Sequence, residues 1–332
     1  MSASTFQVER TGFDGEMTRR ATGVAPRPGT PSTWTTTVPK ELVHRAAVAE
    51  VMLTDWERRD DTHFTVTAQW PRGHSFFTPV HGTHHDPLMA VETFRQVGAL
   101  LGHAEFGVPF GHQFLMKDLS ITVEHEQLEM GGAPASIDID VTCTEVKRRG
   151  GRLVGLRYEA ALRRDGRLAA TAAASYTCIA PAVYQRLRGD RPLSGEQRRL
   201  PLTAPAAPQS VGRISPMDVV LSPTEQTDRW FLRADTRHPV LFDHPVDHIP
   251  GMVLLEAARQ ATSALLERFA FLPLGMDSTF DLYAELDAPC MIEAHELPAG
   301  AVPENRKAVR VTGHQNGSRV FSSIVTAASY DL

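Results

Sequence analysis

Two stretches of the chain are apolar around almost their whole circumference. PLMAVETFRQVGALLGH (87–103) is the first and MVLLEAARQATSALLERFAF (252–271) the second. In a water-borne protein that pattern predicts helices buried on nearly all sides. Asp86 suits the N-cap of the first and Pro87 its opening position, and Pro250-Gly251 opens the second. After the first helix, SIDIDVTCTEV, GRLVGLRYEAALRR and GRLAATAAASYTCIA alternate apolar with polar residues. They are joined by the turn dipeptides Gly150-Gly151 and Asp165-Gly166, as in an antiparallel meander. A curled antiparallel sheet wrapped around one central helix satisfies this order, which makes the unit α+β.

The unit occurs twice. A gapless shift of 164 positions places His74 on His238, His84 on His248, Glu92 on Glu256, Arg95 on Arg259 and Gln96 on Gln260. Ala-Ala-Ser-Tyr closes a strand-like run at 173–176 and again at 327–330. The expected division is a flexible arm over 1–33, a first domain over 34–180, a linker over 181–214 and a second domain over 215–332. The linker reading rests on Pro181, Pro192, Pro201, Pro205 and Pro208 among arginines and small residues.

Composition narrows the class. With 42% hydrophobic and 22% charged residues and no apolar run of the ~18–20 residues that span a bilayer, the chain reads as an ordinary protein of the aqueous phase with no membrane partner. The polar N-terminus lacks a signal-peptide core, and Cys143, Cys178 and Cys290 stand too far apart for a disulfide or zinc framework. A cytoplasmic location is expected. The net charge of −5, with basic residues scattered, argues against nucleic acid. Lys147 to Arg152 is a local basic run that could meet an acidic partner or be a solvated hairpin.

Glu256 and Arg259 lie three positions apart on a helix otherwise built for burial. A buried carboxylate must be neutralised, hydrogen-bonded or open to a wet cleft, so the pair is either a structural brace or part of a site. Glu92 and Arg95 repeat the arrangement in the first copy. His81, His84, His85 and Asp86, with His74, have a spacing that could hold a metal, but a polar rim to a cleft is the simpler reading. No phosphate-binding glycine loop, dinucleotide fingerprint or nucleophile elbow is present.

The segment HPVLFDHPVDHIPGMVLLEAARQ (238–260) resembles the signature of the β-hydroxyacyl-carrier-protein dehydratases. Gly251 and Glu256 keep its spacing, while Phe242 stands where those enzymes carry their catalytic histidine, with His244 and His248 nearby. Together with HSFFTPVHGTHHDPLMAVETFRQ (74–96), it makes the chain from about residue 34 resemble the A-factor type γ-butyrolactone synthases.

That resemblance implies a tandem hotdog fold and an acyltransferase. Its reaction moves a β-ketoacyl group from acyl carrier protein to dihydroxyacetone phosphate, on the way to a butenolide, with no cofactor and no metal. The resemblance casts Glu256 as the base, with His244 or His248 as alternatives, and Arg259 as the cation facing phosphate or enolate. Backbone N–H groups near Gly251 would hold the thioester oxygen. Glu92 and Arg95 would form a second pocket or a brace. Asp86, His84, His74, Gln96, Gln260 and Asp247 are expected around the substrate. The competing readings are a hydrolase or dehydratase of the same fold and a regulator that binds a butyrolactone. A homodimer is compatible with all of them.

Overall fold

A computed structural model describes residues 36–80, 82–191, 200–268, 271–298 and 300–328. The expected N-terminal arm, His81, residues 192–199 and the end of the second Ala-Ala-Ser-Tyr lie outside the described residues.

The first copy runs β1 (Leu53–Arg58), β2 (His63–Trp70), α1 (Pro87–Ala104), β3 (Gln113–Val123), β4 (Ala135–Arg149), β5 (Arg152–Arg164) and β6 (Arg167–Ile179). After α2 (Pro181–Arg188), the second runs β7 (Leu221–Pro223), β8 (Arg229–Leu232), α3 (Gly251–Leu265), β9 (Pro273–Phe280), β10 (Cys290–Glu296), β11 (Arg306–Gln315) and β12 (Ser318–Ala328). The strand order β1-β2-β4-β5-β6-β3-β9-β12-β11-β10-β8-β7 reads the same from either end once the copies are matched. Two hotdog units therefore share one antiparallel sheet, joined where Asp118 to Thr122 of β3 pair with Thr279 to Gly275 of β9.

Alternation decides which side of each strand faces its helix: Ile137, Ile139, Val141 and Cys143 of β4 are buried and the residues between them are not. α1 buries Leu88, Phe94, Val97, Leu100 and Leu101 completely, and each such side chain contributes roughly 1.5–3 kcal/mol. The second helix ends sooner than its apolar run suggests. Glu267 adopts a left-handed φ of 55°, and Arg268 N–H returns to the carbonyl of Ser263, closing the last turn.

The described parts of the expected linker, residues 181–191 and 200–214, are folded onto the second copy instead of running as a bare tether. They form α2 and a 3₁₀ turn, and they bury Tyr184, Arg188 and Arg213. Proline placed at the opening of a helical turn, as at Pro181 and Pro208, starts structure instead of preventing it. The three cysteines are free and buried, and no helix among the described residues is long and apolar enough to cross a membrane.

Candidate active site

Each central helix carries a buried carboxylate clamped by two arginines. Glu92 accepts from Arg45 Nε at 2.9 Å, from Arg95 Nε and Nη2 at 2.9 and 2.8 Å, and from Gln96. Glu256 accepts from Arg213 Nε at 2.8 Å, from Arg259 Nε and Nη2 at 3.0 and 2.6 Å, and from Gln260. Burial would raise both carboxyls, but the paired guanidinium groups outweigh it and hold each at about 2. At neutral pH neither takes up a proton. Glu256, expected as the general base, is fully buried with both carboxylate oxygens held by Arg213 and Arg259, and it does not line the open cavity beside the first clamp.

The surroundings of the two clamps differ. Beside the first lies a cavity of ≈ 260 Å³ that draws on both copies. His44, Arg45, Arg95, Gly98 and Ala99 come from the first copy, and His244, His248, Gly251 and Met252 from the second. At the corresponding place beside the second clamp, Pro87, Leu88, Val91 and Met276 enclose only ≈ 10 Å³.

Four exchanges at a 164-residue shift accompany the difference. Gly98 and Gly102 of α1 are replaced in the second copy by Thr262 and Leu266. Gly251, which lines the open cavity, is replaced by Pro87 in the first copy. Pro250 leaves the start of α3 without a side-chain cap, whereas Asp86 caps α1 by accepting Leu88 N–H at 2.9 Å. The two glycines of α1 have a further use. A Cβ on Gly98 would fall 2.3 Å from Tyr158 Oη, and one on Gly102 would fall 2.5 Å from Phe114, so both aromatic rings lie directly on the helix and form the cavity wall.

The cavity is polar at one side and apolar at the other. Phe114, Met116, Leu119, Tyr158, Tyr176 and Phe280 supply the apolar part. Two adjacent Asp–His pairs supply the polar part. His244 Nδ1 lies 2.5 Å from Asp243 and His248 Nδ1 2.7 Å from Asp247. A carboxylate only accepts, so Nδ1 carries the proton in each neutral ring and Nε2 holds the lone pair. Among the described residues no hydrogen bond reaches His248 Nε2. Asp243 also accepts Ala46 N–H at 2.8 Å, so the first copy fixes this loop. His44 completes the wall, its Nε2 at 2.7 Å from His103 Nε2. Burial, then His103 and Arg95, lower its pKa to about 3 and keep it neutral.

Of the residues singled out from sequence, the fold brings Arg95, His244, His248 and Gly251 to the open cavity, with Asp247 behind His248 and Glu92 behind Arg95. It does not bring Arg259, Gln260 or Asp86, which belong to the sealed side and are buried. Arg259, expected as the substrate cation, lies on the sealed side with Nε and Nη2 on Glu256, and its counterpart Arg95, held the same way by Glu92, lines the open cavity.

The remaining polar residues have internal duties. His74 Nδ1 accepts Phe76 and Phe77 N–H and so shapes its own loop, as His238 does with Val240 and Leu241. Gln96 joins Glu92 to the backbone of Glu50 and Met52. His84 pairs with Val80 and Glu129 on a surface turn, and among the described residues no cluster of His, Cys, Asp and Glu could hold a metal.

Arg45, Arg213, Asp243, Tyr184 and Arg188 escaped the sequence reading. A second shift, of 168 positions, places Arg45 on Arg213 and Glu50 on Asp218 and would have found the clamping arginines.

A family model described as the A-factor biosynthesis hotdog domain matches residues 29–180 and again 195–329. A 2-oxo-3-(phosphooxy)propyl 3-oxoalkanoate synthase of Streptomyces virginiae is 57% identical over 291 residues, which cover 88% of this chain and 97% of the relative. The synthase of the same name from Streptomyces coelicolor is 43% identical over 293 residues, covering 88% and 92%. That from Streptomyces griseus is 41% identical over 286 residues, covering 86% and 94%. The doubled match and these identities extend over both hotdog units, and the chain belongs to the A-factor biosynthesis hotdog domain family.

Proposed function

We propose that this protein is an acyltransferase that makes a 2-oxo-3-(phosphooxy)propyl 3-oxoalkanoate in the open cavity between its two copies. The donor is a 3-oxoacyl thioester of acyl carrier protein and the acceptor is dihydroxyacetone phosphate. The observation that carries the reading is the cavity itself, which sets a proton acceptor, a fixed cation and an uncapped helix start against an apolar wall. The names of the relatives, at up to 57% identity, supply the substrate class.

The roles follow from the geometry. His248 Nε2 takes the proton from the acceptor hydroxyl as its oxygen attacks the thioester carbon. Charge on the thioester oxygen is met by the N–H groups at the start of α3, where Gly251 has no side chain in the way. The carbon–sulfur bond breaks and the proton passes to the departing pantetheine sulfur. Arg95, its Nε and Nη2 held by Glu92, offers Nη1 and its positive charge to the acceptor phosphate. The activated methylene of the ester then attacks the ketone carbon of the phosphooxypropyl group, and loss of water from the resulting alcohol gives the butenolide. The exposed run Lys147, Arg148, Arg149 and Arg152 is the proposed meeting place for the acidic carrier.

Mass spectrometry of a reaction containing protein, 3-oxoacyl carrier protein and dihydroxyacetone phosphate tests this reading. The phosphorylated ester and free carrier thiol should form together and only with acceptor present. Equal thioester loss without acceptor identifies a hydrolase instead.

A further inference from the structure

We infer that Tyr184 and Arg188, on the helix that joins the two copies, are positioning residues for His248. This inference rests on the proposed role of His248 as proton acceptor. Tyr184 Oη donates to Asp247 Oδ2 at 2.7 Å, while Asp247 Oδ1 faces His248 Nδ1 at 2.7 Å. Both carboxylate oxygens are thus engaged, one by the imidazole and the other from behind. Arg188 Nε stands 3.2 Å from the same Oδ2, and its Nη2 donates to the Asp247 backbone oxygen at 3.0 Å. The arginine is fixed in turn. It makes a fork to Glu285 at 2.7 and 2.8 Å, and its guanidinium lies 4.7 Å from the centre of the Tyr283 ring. Tyr283 closes the arrangement by meeting the His248 ring edge-on at 4.9 Å.

A latch that merely docks α2 on the second copy needs no such convergence on one aspartate. A residue that fixes the imidazole's tautomer and direction does, because a general base acts only when its lone pair points at the proton it removes. Both residues are nearly sealed from water, Tyr184 at 4% and Arg188 at 5% exposure, so water cannot replace their contacts.

The experiment uses the full chain with 3-oxoacyl carrier protein and dihydroxyacetone phosphate. It compares Tyr184→Phe, Arg188→Lys, His248→Asn and the double variant Tyr184→Phe/His248→Asn. Tyr184→Phe keeps the ring and removes one donor, so kcat should fall about 10- to 150-fold, the worth of one hydrogen bond to a charged group, with KM within about twofold.

Without that donor Asp247 becomes a stronger acceptor for the imidazolium, so the acid limb of the pH–rate profile should move to higher pH. The double variant should be no slower than His248→Asn alone. Arg188→Lys keeps the charge and should retain more activity than Arg188→Gln. A Tyr184→Phe protein with a lower melting temperature but unchanged kcat and pH profile makes α2 a structural latch and overturns the inference. A His248→Asn protein with full turnover overturns the catalytic reading instead, so the two failures are told apart.

Discussion

Arg45 and Arg213 make the same crossed contact in opposite directions. Arg45, clamping Glu92 of its own copy, donates from Nη1 to the carbonyl of Val240 in the second copy at 3.0 Å. Arg213, clamping Glu256, donates from Nη1 to the carbonyl of Phe76 in the first copy at 2.7 Å. Each ties a helix carboxylate to the partner unit's histidine loop. One of these ties borders the open cavity and the other is sealed, so equivalent substitutions should have different effects.

Glu256→Gln leaves two buried arginines, Arg213 and Arg259, with Asp86, 3.7 Å from Arg213 Nη1, as the nearest remaining counter-charge. Removing one partner of a buried ion pair costs about 3–5 kcal/mol, which lowers the melting temperature on the order of 10 °C. The rate per folded molecule should change little, because Glu256, Arg213 and Arg259 do not line the open cavity. Calorimetry and turnover on one preparation check this; a stable protein with a hundredfold lower rate would return Glu256 to the chemistry.

Arg95→Lys and Arg259→Lys separate binding from structure. Arg95 reaches Glu92 through Nε and Nη2, and a lysine cannot hold that grip while offering charge to the cavity. The KM for dihydroxyacetone phosphate should rise about tenfold or more with Arg95→Lys. It should stay level with Arg259→Lys, which instead lowers the melting temperature. Steady-state kinetics against acceptor concentration decides.

Gly98→Ala drives a methyl group into Tyr158, at 2.3 Å from its hydroxyl. Overpacking of this kind costs about 1–3 kcal/mol, and the ring's way out leads into the cavity. Stability and kcat/KM should fall together, and adding Tyr158→Leu should recover both in part. An unchanged melting temperature would mean that the ring is not seated on the helix.

Acid should weaken the fold in a window set by buried neutral histidines. His44 falls from the ordinary 6.5 to about 3 and His85 to about 4, in each case by burial before any other cause. The unfolded chain binds protons there that the folded one refuses, so stability complete above 6.5 is lost as pH falls towards these values. Glu92 and Glu256 act in the same direction below their ordinary 4.5. Melting temperatures between pH 7 and 4 should decline steadily, and His44→Gln should flatten the slope.

The doubled fold was legible because its signals are local. Apolar circumference marks α1 and α3, alternation marks β4 to β6, and one shift aligns the copies. The division of labour between the copies was not. Glu-x-x-Arg-Gln is the same in both, and what separates them is whether Gly98 or Thr262 faces the neighbouring strands. The clamping arginines were hidden by spacing: Arg45 precedes Glu92 by 47 residues but Arg213 precedes Glu256 by 43, so a gapless match misses them. Asp247 reads as one more acid in a polar loop until Tyr184, 63 residues earlier, is folded against it.

Covalent joining of the copies, through the segment that carries α2, has a consequence for how such a molecule can change. In an assembly of two identical chains every substitution appears at both sites, so a helix with glycines at one place has them at the other. Here Thr262 can close one side while Gly98 keeps the opposite side open, and Pro87 can stiffen one helix entrance without touching Gly251. On the proposed function, stability and catalysis can thereby draw on largely separate sets of residues. Variation in the sealed half can adjust the robustness of the scaffold while the substrate chamber keeps its shape.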